Sequence, residues 1–416
     1  MMKNITARIA AFALAALTLA AAAGCQSNSD KTSGGGVTGA AGVKLESTEL
    51  TGKTLLASSS RSASIIPAPS ALQSMKTSFT ARDRDVGYEQ TTATMITLSG
   101  NSAKISGKGA ISAEGNVTIT DKGTYVISGN LDNGTLFVDA GESAKVQLVF
   151  DGVNISSSNF AAVFIKNADK VFITLSEGKT NNLADGSKYV LTQANSYING
   201  EQKNVDAVIF SRADLTINGT GTLNVVGSYK HAIVSKDDLV ITDGTLNVSA
   251  PNVGLYGSDS VRIGGGMINI EAGTDAIRAE NQKTDNRGYV YIENGNVTAS
   301  ASSDGIQASS AIFIAGGTTL ISAKKAPIKS GMAAVITGGT FAALGNKFDC
   351  PVSDSSTQAH VLFTEKFASG ENDTLTIAQS GASSSLASFK SSRNALVMIF
   401  TTPELVKDTE YAVYKD

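Results

Sequence analysis

From Asp214 to Gly345 the apolar positions recur about every 22 residues. One apolar column runs through Asp214-Leu-Thr-Ile217, Asp238-Leu-Val-Ile241, Ser260-Val-Arg-Ile263, Tyr289-Val-Tyr-Ile292, Ala311-Ile-Phe-Ile314 and Ala333-Ala-Val-Ile336. Its closing isoleucines are separated by 24, 22, 29, 22 and 22 residues. A second column, Ile233, Leu255, Ile277, Ile306 and Ile328, keeps the same register, and the shared step of 29 is one period plus a seven-residue insertion. A fixed period of this length predicts a stacked repeat architecture.

Polar punctuation predicts what each repeat contains. In one copy the strand-like pieces are Leu239-Val-Ile241, Leu246-Asn-Val248 after the Asp243-Gly244 turn, and Gly254-Leu-Tyr256 after Ala250-Pro-Asn. Short alternation bounded by Gly, Asn, Asp and Pro reads as strand and turn. No copy holds the stretch of roughly ten residues at a 3.6 period that a helical or leucine-rich repeat requires. The predicted class is therefore all-β, a parallel β-helix of about 22 residues per coil, with neighbouring coils about 4.8 Å apart. Asn224, Asn247 and Asn269 then fall in one exposed column and are expected to hydrogen-bond along it.

Outside the regular region the spacing loosens. Gly123–Ile127, Thr135–Val138, Val146–Phe150 and Val153–Ile155 read as strands of earlier coils, and 181–204 as a loop leaving the stack. The helix is assigned to 79–345. Past Gly345 the period stops, and strands at Ala359–Thr364, Thr374–Ala378, Ala395–Thr401 and Tyr411–Tyr414 are expected to form a separate β cap over 346–416. Such a cap covers edge groups that an open last coil leaves unpaired.

Composition fits a solenoid: Gly is 41 of 416 residues, charged residues are 17%, and Trp is absent. A net charge of −3 with mixed signs gives no reason to expect nucleic acid as partner, and a monomer is expected. The amino terminus sets the address. Lys3 and Arg8 precede an apolar run, Ile9 to Ala23, that ends at Ala22-Ala23-Gly24-Cys25. This is the build of an export signal, and about 15 residues is short for a membrane span. Cys25 after Ala-Gly resembles a lipobox, whose cysteine is acylated after cleavage of residues 1–24; an ordinary secretory signal is the alternative. Gln26 in place of Asp favours the outer membrane where a cell has two. Residues 26–42 have a composition that buries no core and read as a tether, and 43–78 as a transitional stretch with little fixed structure. Cys350 then has no disulfide partner, and a buried or semi-exposed free thiol is expected rather than a nucleophile.

Candidate chemistry sits two residues before the second column, at His231, Val253, Asp275, Asp304 and Ala326. Asp275 and Asp304 fall one above the other, where two carboxylates repel unless something positive lies between them. Calcium takes six to eight oxygens at about 2.3–2.6 Å, and the insertion beside these repeats carries Glu280, Asn281, Asp285 and Asn286 as further donors. The alternative is that both aspartates cap turns. Asp206 holds a comparable place in an earlier coil. The residues just after the second column, Val234, Tyr256, Arg278, Gln307 and Lys329, make an outward strip suited to a sugar chain bearing carboxylates, since Arg presents a fork of donors; a solvated face is the alternative. Tyr289, Tyr291 and Phe313 lie near the insertion as further ring-stacking candidates.

Several segments resemble a family of bacterial surface proteins, the carbohydrate-binding domain-containing β-helices that are similar in form to pectate lyases. The matching stretches are Phe79-Thr-Ala-Arg-Asp83 with Tyr88, Gly123–Gly129, Val149–Ile155, Asp214–Gly221, Ser235–Leu239 and Asp304-Gly-Ile-Gln-Ala308. The resemblance implies a right-handed parallel β-helix, calcium on the coils, and binding of cellulose or acidic polygalacturonate. The chain departs from the family's Asp-Gly-Ile at His231-Ala-Ile, Val253-Gly-Leu and Ala326-Pro-Ile, so fewer ions are expected, around Asp275 and Asp304.

Three functions follow from this reading. The first is a lipid-anchored, calcium-supported polysaccharide-binding protein. The second is a lyase, which needs a strong base beside the metal, with Arg278, Lys236 and Lys329 as candidates. The third is a structural or adhesive surface protein without a sugar ligand.

Overall fold

The structure, a computed structural model, describes residues 42–192, 195, 197–198, 201–202, 204–284 and 286–416. The expected signal segment, Cys25, most of the expected tether and Asp285 lie outside the described residues.

Each repeat contributes three strands. In one repeat they are Asp238–Ile241, Thr245–Ala250 and Leu255–Gly257. Each lies parallel to its equivalent one repeat on, with Leu239 beside Val261, Leu246 beside Ile268 and Leu255 beside Ile277. Register survives the insertion: Val261 pairs with Val290 and Ile277 with Ile306. The chain is all-β with long parallel sheets. The third strand of every repeat joins a ten-stranded sheet running from Ala110–Ala113 to Ile328–Ser330, parallel except at its first pair.

The Leu, Ile and Val columns of all three strands meet in a single core cluster. Burying one such side chain contributes about 1.5–3 kcal/mol, so the repeated columns dominate the stability. The turn between the first two strands forces the backbone to a left-handed conformation against the repeat before it. Gly266 has φ +88°, and a Cβ there would come within 2.6 Å of the Gly244 carbonyl oxygen; only glycine fits.

Outside the core a ladder of amides runs along the second strands. Asn154 donates to Asn130 (2.8 Å), Asn182 to Asn154 (2.5 Å), Asn224 to Asn182 (2.8 Å), Asn247 to Asn224 (2.8 Å) and Asn269 to Asn247 (2.9 Å). The next positions in that column are Thr298, Leu320 and Ala342. Where the column turns apolar the C-terminal segment packs on it, placing Leu320 and Ala342 with Phe363, Phe389 and Phe400.

That segment is less separate than the sequence suggests. Val397–Thr401 runs antiparallel to Thr340–Gly345 and so continues the sheet of the last repeat. A further four-stranded antiparallel sheet is ordered Thr54–Ser59, Tyr411–Lys415, Thr374–Gln379, Ala387–Lys390. Residues 43–78, expected to have little fixed structure, supply its edge strand and pair Ile65–Ile66 with Val352–Ser353. The reason is distance: Leu55 finds its partner at Tyr414, and local alternation carries no sign of pairing across the whole chain.

Residues 70–86 form a strap along the outside of the first strands. Its Asp83 is fully buried against them; the carboxylate accepts from Lys170 Nζ (2.6 Å), Thr216 Oγ1 (2.9 Å) and the Thr80 amide (2.8 Å). Arg262, buried two repeats beyond Thr216, donates to the Ser78 carbonyl (2.6 Å) and to Asp238 (2.7 Å).

Candidate functional site

The ten-stranded sheet turns one column of side chains outward: Phe137, Phe164, Phe210, Val234, Tyr256, Arg278, Gln307 and Lys329, each in register with the next. Strand spacing puts successive members about 4.8 Å apart. The column changes character along its length. Its aromatic end is covered, because Tyr189 and Leu191 fold back to join Phe160, Phe164 and Phe210 in one cluster. Tyr189 stacks on Tyr229 at 4.4 Å, and its hydroxyl donates to Asp185 (2.7 Å). The segment after Ala184, expected to loop out, thus begins by lying on the face. Burial pushes the Asp185 carboxyl up to about 6.

From Tyr256 onward the column is half-buried and polar. Tyr256 meets the His231 ring edge-on at 5.8 Å, and Lys236 and Arg278 lie 5.4 and 5.9 Å from its ring centre. Arg278 Nε is 3.0 Å from Glu280 and 3.8 Å from Asp275, Lys329 Nζ is 3.6 Å from Asp304, and Lys230 is 3.7 Å from Asp206. The predicted strip Tyr256, Arg278, Gln307 and Lys329 is therefore assembled on one face.

Tyr291 belongs elsewhere. It sits in the column of Arg262 and Phe313, 6.0 Å from Phe79 of the strap, while the Tyr289 hydroxyl donates to the Lys76 carbonyl (2.5 Å). These rings hold the strap and are not on the face of Tyr256. Sequence spacing put them near the insertion and gave no sign of what covers them.

Asp275 and Asp304 are adjacent and buried. Each caps the next repeat: Asp275 Oδ1 accepts from the Asp304 amide (3.0 Å), and Asp304 Oδ1 from the Ala326 amide (3.1 Å). In the same column His231 Nδ1 accepts from the Val253 amide (3.2 Å). Burial and the nearby lysines, with Arg278, hold the His231 ring neutral down to about 4 against the pull of Asp206. Asp206 lies one residue off this column, since Ala207 is the residue paired with His231. Calcium needs six or more oxygens, and two of the further donors expected for it have partners within the chain. Glu280 faces Arg278, Asn281 donates to Asp259 (2.7 Å), and Asn286 is exposed. Among the described residues no three acidic, His or Cys groups converge, so the described donors fall short of the six oxygens of a calcium site. Cys350 is buried, which pushes its thiol up to about 12 and suits a packing role.

The sequence model of the carbohydrate-binding domain-containing proteins matches residues 113–396, more than half of the chain and all of this face. The chain belongs to that family. A carbohydrate-binding domain-containing protein of Acetivibrio thermocellus is 38% identical over 138 residues, 33% of this chain and 46% of the relative. The chain thus spans under half the length of that family member. Among solved structures, a polysaccharide lyase-like protein from C. thermocellum, in a gadolinium derivative, is 34% identical with a TM-score of 0.51. The match covers 58% of this chain and 93% of that one.

Proposed function

We propose that the chain winds as a right-handed parallel β-helix and binds a polysaccharide along the open half of the outward column, at Tyr256, Arg278, Gln307 and Lys329. The handedness follows the rule for parallel crossovers. The observation that carries the binding site is the register of these four residues, which repeats a ring, two cations and an amide at one strand spacing. A polymer with repeating hydroxyls matches such a row, and family membership supports a carbohydrate as the ligand.

The charges on this face are paired within the protein, Arg278 with Glu280 and Asp275, Lys329 with Asp304, and Lys230 with Asp206. A neutral, cellulose-type chain is therefore the better match than polygalacturonate, whose carboxylates would compete with these partners. Retention on insoluble cellulose against polygalacturonate tests this. Retention on neither sinks the binding reading, and preference for polygalacturonate sinks the neutral one.

Cleavage is not part of the proposal. The candidate bases Arg278 and Lys329 each face a carboxylate, and Lys236 lies over the rings of Phe210 and Tyr256. A rise of ultraviolet absorbance from unsaturated product would add a lyase step. Export and acylation at Cys25 are proposed from the sequence, giving a cell-envelope address; mass spectrometry of the mature amino terminus checks the thioether and its lipid.

A further inference from the structure

The stacked carboxylates raise a question of charge that the capping bonds do not answer. Asp275 and Asp304 are buried in adjacent repeats, and each spends one oxygen on the backbone amide of the next repeat. Their second oxygens face cations of the chain itself, Asp275 Oδ2 at 3.8 Å from Arg278 Nε and Asp304 Oδ2 at 3.6 Å from Lys329 Nζ. Both cations belong to the outward column, in register through Gln307. One repeat thus supplies the charge itself, since Arg278 follows Asp275 by three residues, and the next borrows it from Lys329 a repeat further on.

We infer that Arg278 and Lys329 are built-in counterions, standing where a divalent cation would otherwise neutralise this pair, so the contact between these repeats forms without metal. Cations and amide donors beside a buried carboxylate offset part of the cost of burying its charge. The surroundings agree. The other acidic group at hand, Glu280, is turned to Arg278, and Asn281 is turned away to Asp259. This inference concerns how the column is held and stands whether or not a glycan binds beside it.

Thermal unfolding of the mature protein in calcium and in EGTA tests it, on the wild type, Asp275→Asn/Asp304→Asn and Arg278→Ala/Lys329→Ala. The expected result is the same calcium response in the wild type and the double asparagine variant. The Arg278→Ala/Lys329→Ala protein should melt lower in EGTA and rise as calcium is added, because the ion then binds only the folded state. A calcium-dependent rise in the wild type that Asp275→Asn/Asp304→Asn abolishes overturns the inference. So does a double alanine variant that responds no more than the wild type. Should that variant not fold, Lys329→Met, altered at a half-buried side chain, takes its place with the same two outcomes.

Discussion

The carboxylate of Asp275 accepts a hydrogen bond from the backbone amide of Asp304, 29 residues later, at 3.0 Å. A seven-residue insertion separates them in sequence and one strand spacing separates them in space. Replacing Asp275 with Ala leaves that buried N–H unpaired, which costs about 1–3 kcal/mol. Asp275→Asn retains an acceptor and should cost less. Urea unfolding of the two variants orders them; equal losses would show that charge, not capping, is the main contribution.

The His231 ring gives the same column a pH dependence. Its folded value, about 4, lies below the ordinary histidine value of about 6.5. Between those values the unfolded chain binds more protons, so stability is complete above about 6.5 and falls as pH drops toward 4. The loss should be on the order of 1–3 kcal/mol, and His231→Asn, which keeps an acceptor for Val253, should flatten that window. Denaturation midpoints from pH 7 to 4 read the difference; parallel curves would refute it.

Asp83 acts at lower pH. Burial alone would raise its carboxyl, but the bonds from Lys170 and Thr80 prevail and hold it at about 2. Its contribution is present above the ordinary aspartate value of about 3.9 and is lost as pH falls through 2. Asp83→Asn should weaken the strap at neutral pH and remove this acid dependence, seen as faster proteolysis within 70–86 at pH 7.

Two tyrosines separate binding from packing. Tyr256→Ala should weaken glycan retention by up to roughly tenfold, the worth of one ring contact. Tyr291→Ala should leave retention unchanged and lower stability by about 1–3 kcal/mol, since its ring lies against Phe79 of the strap. Affinity electrophoresis beside thermal melts tells them apart; the reverse pattern would move the site to the strap face.

Much of this is legible in the sequence. The isoleucine columns and the asparagines at 224, 247 and 269 are read directly from a constant step, because parallel in-register strands turn equal sequence separation into contact. The insertion was legible for the same reason, as both columns shift by the same amount. The strap over Arg262 and Tyr291 was not legible, since residues 70–86 share no period with what they cover. Nor was the commitment of Arg278 and Lys329, because spacing places side chains in columns without saying which way they lean.

The amino-acid sequence alone determined the repeat, its strands and the stacking of Asp275 beside Asp304, all consequences of local alternation multiplied by a fixed period. Only the tertiary structure decided which outward faces stay open. The strap, the segment carrying Tyr189 and the C-terminal strands each cover one face through contacts between distant parts of the chain. Those contacts depend on shape and on paired polar groups that no periodicity encodes.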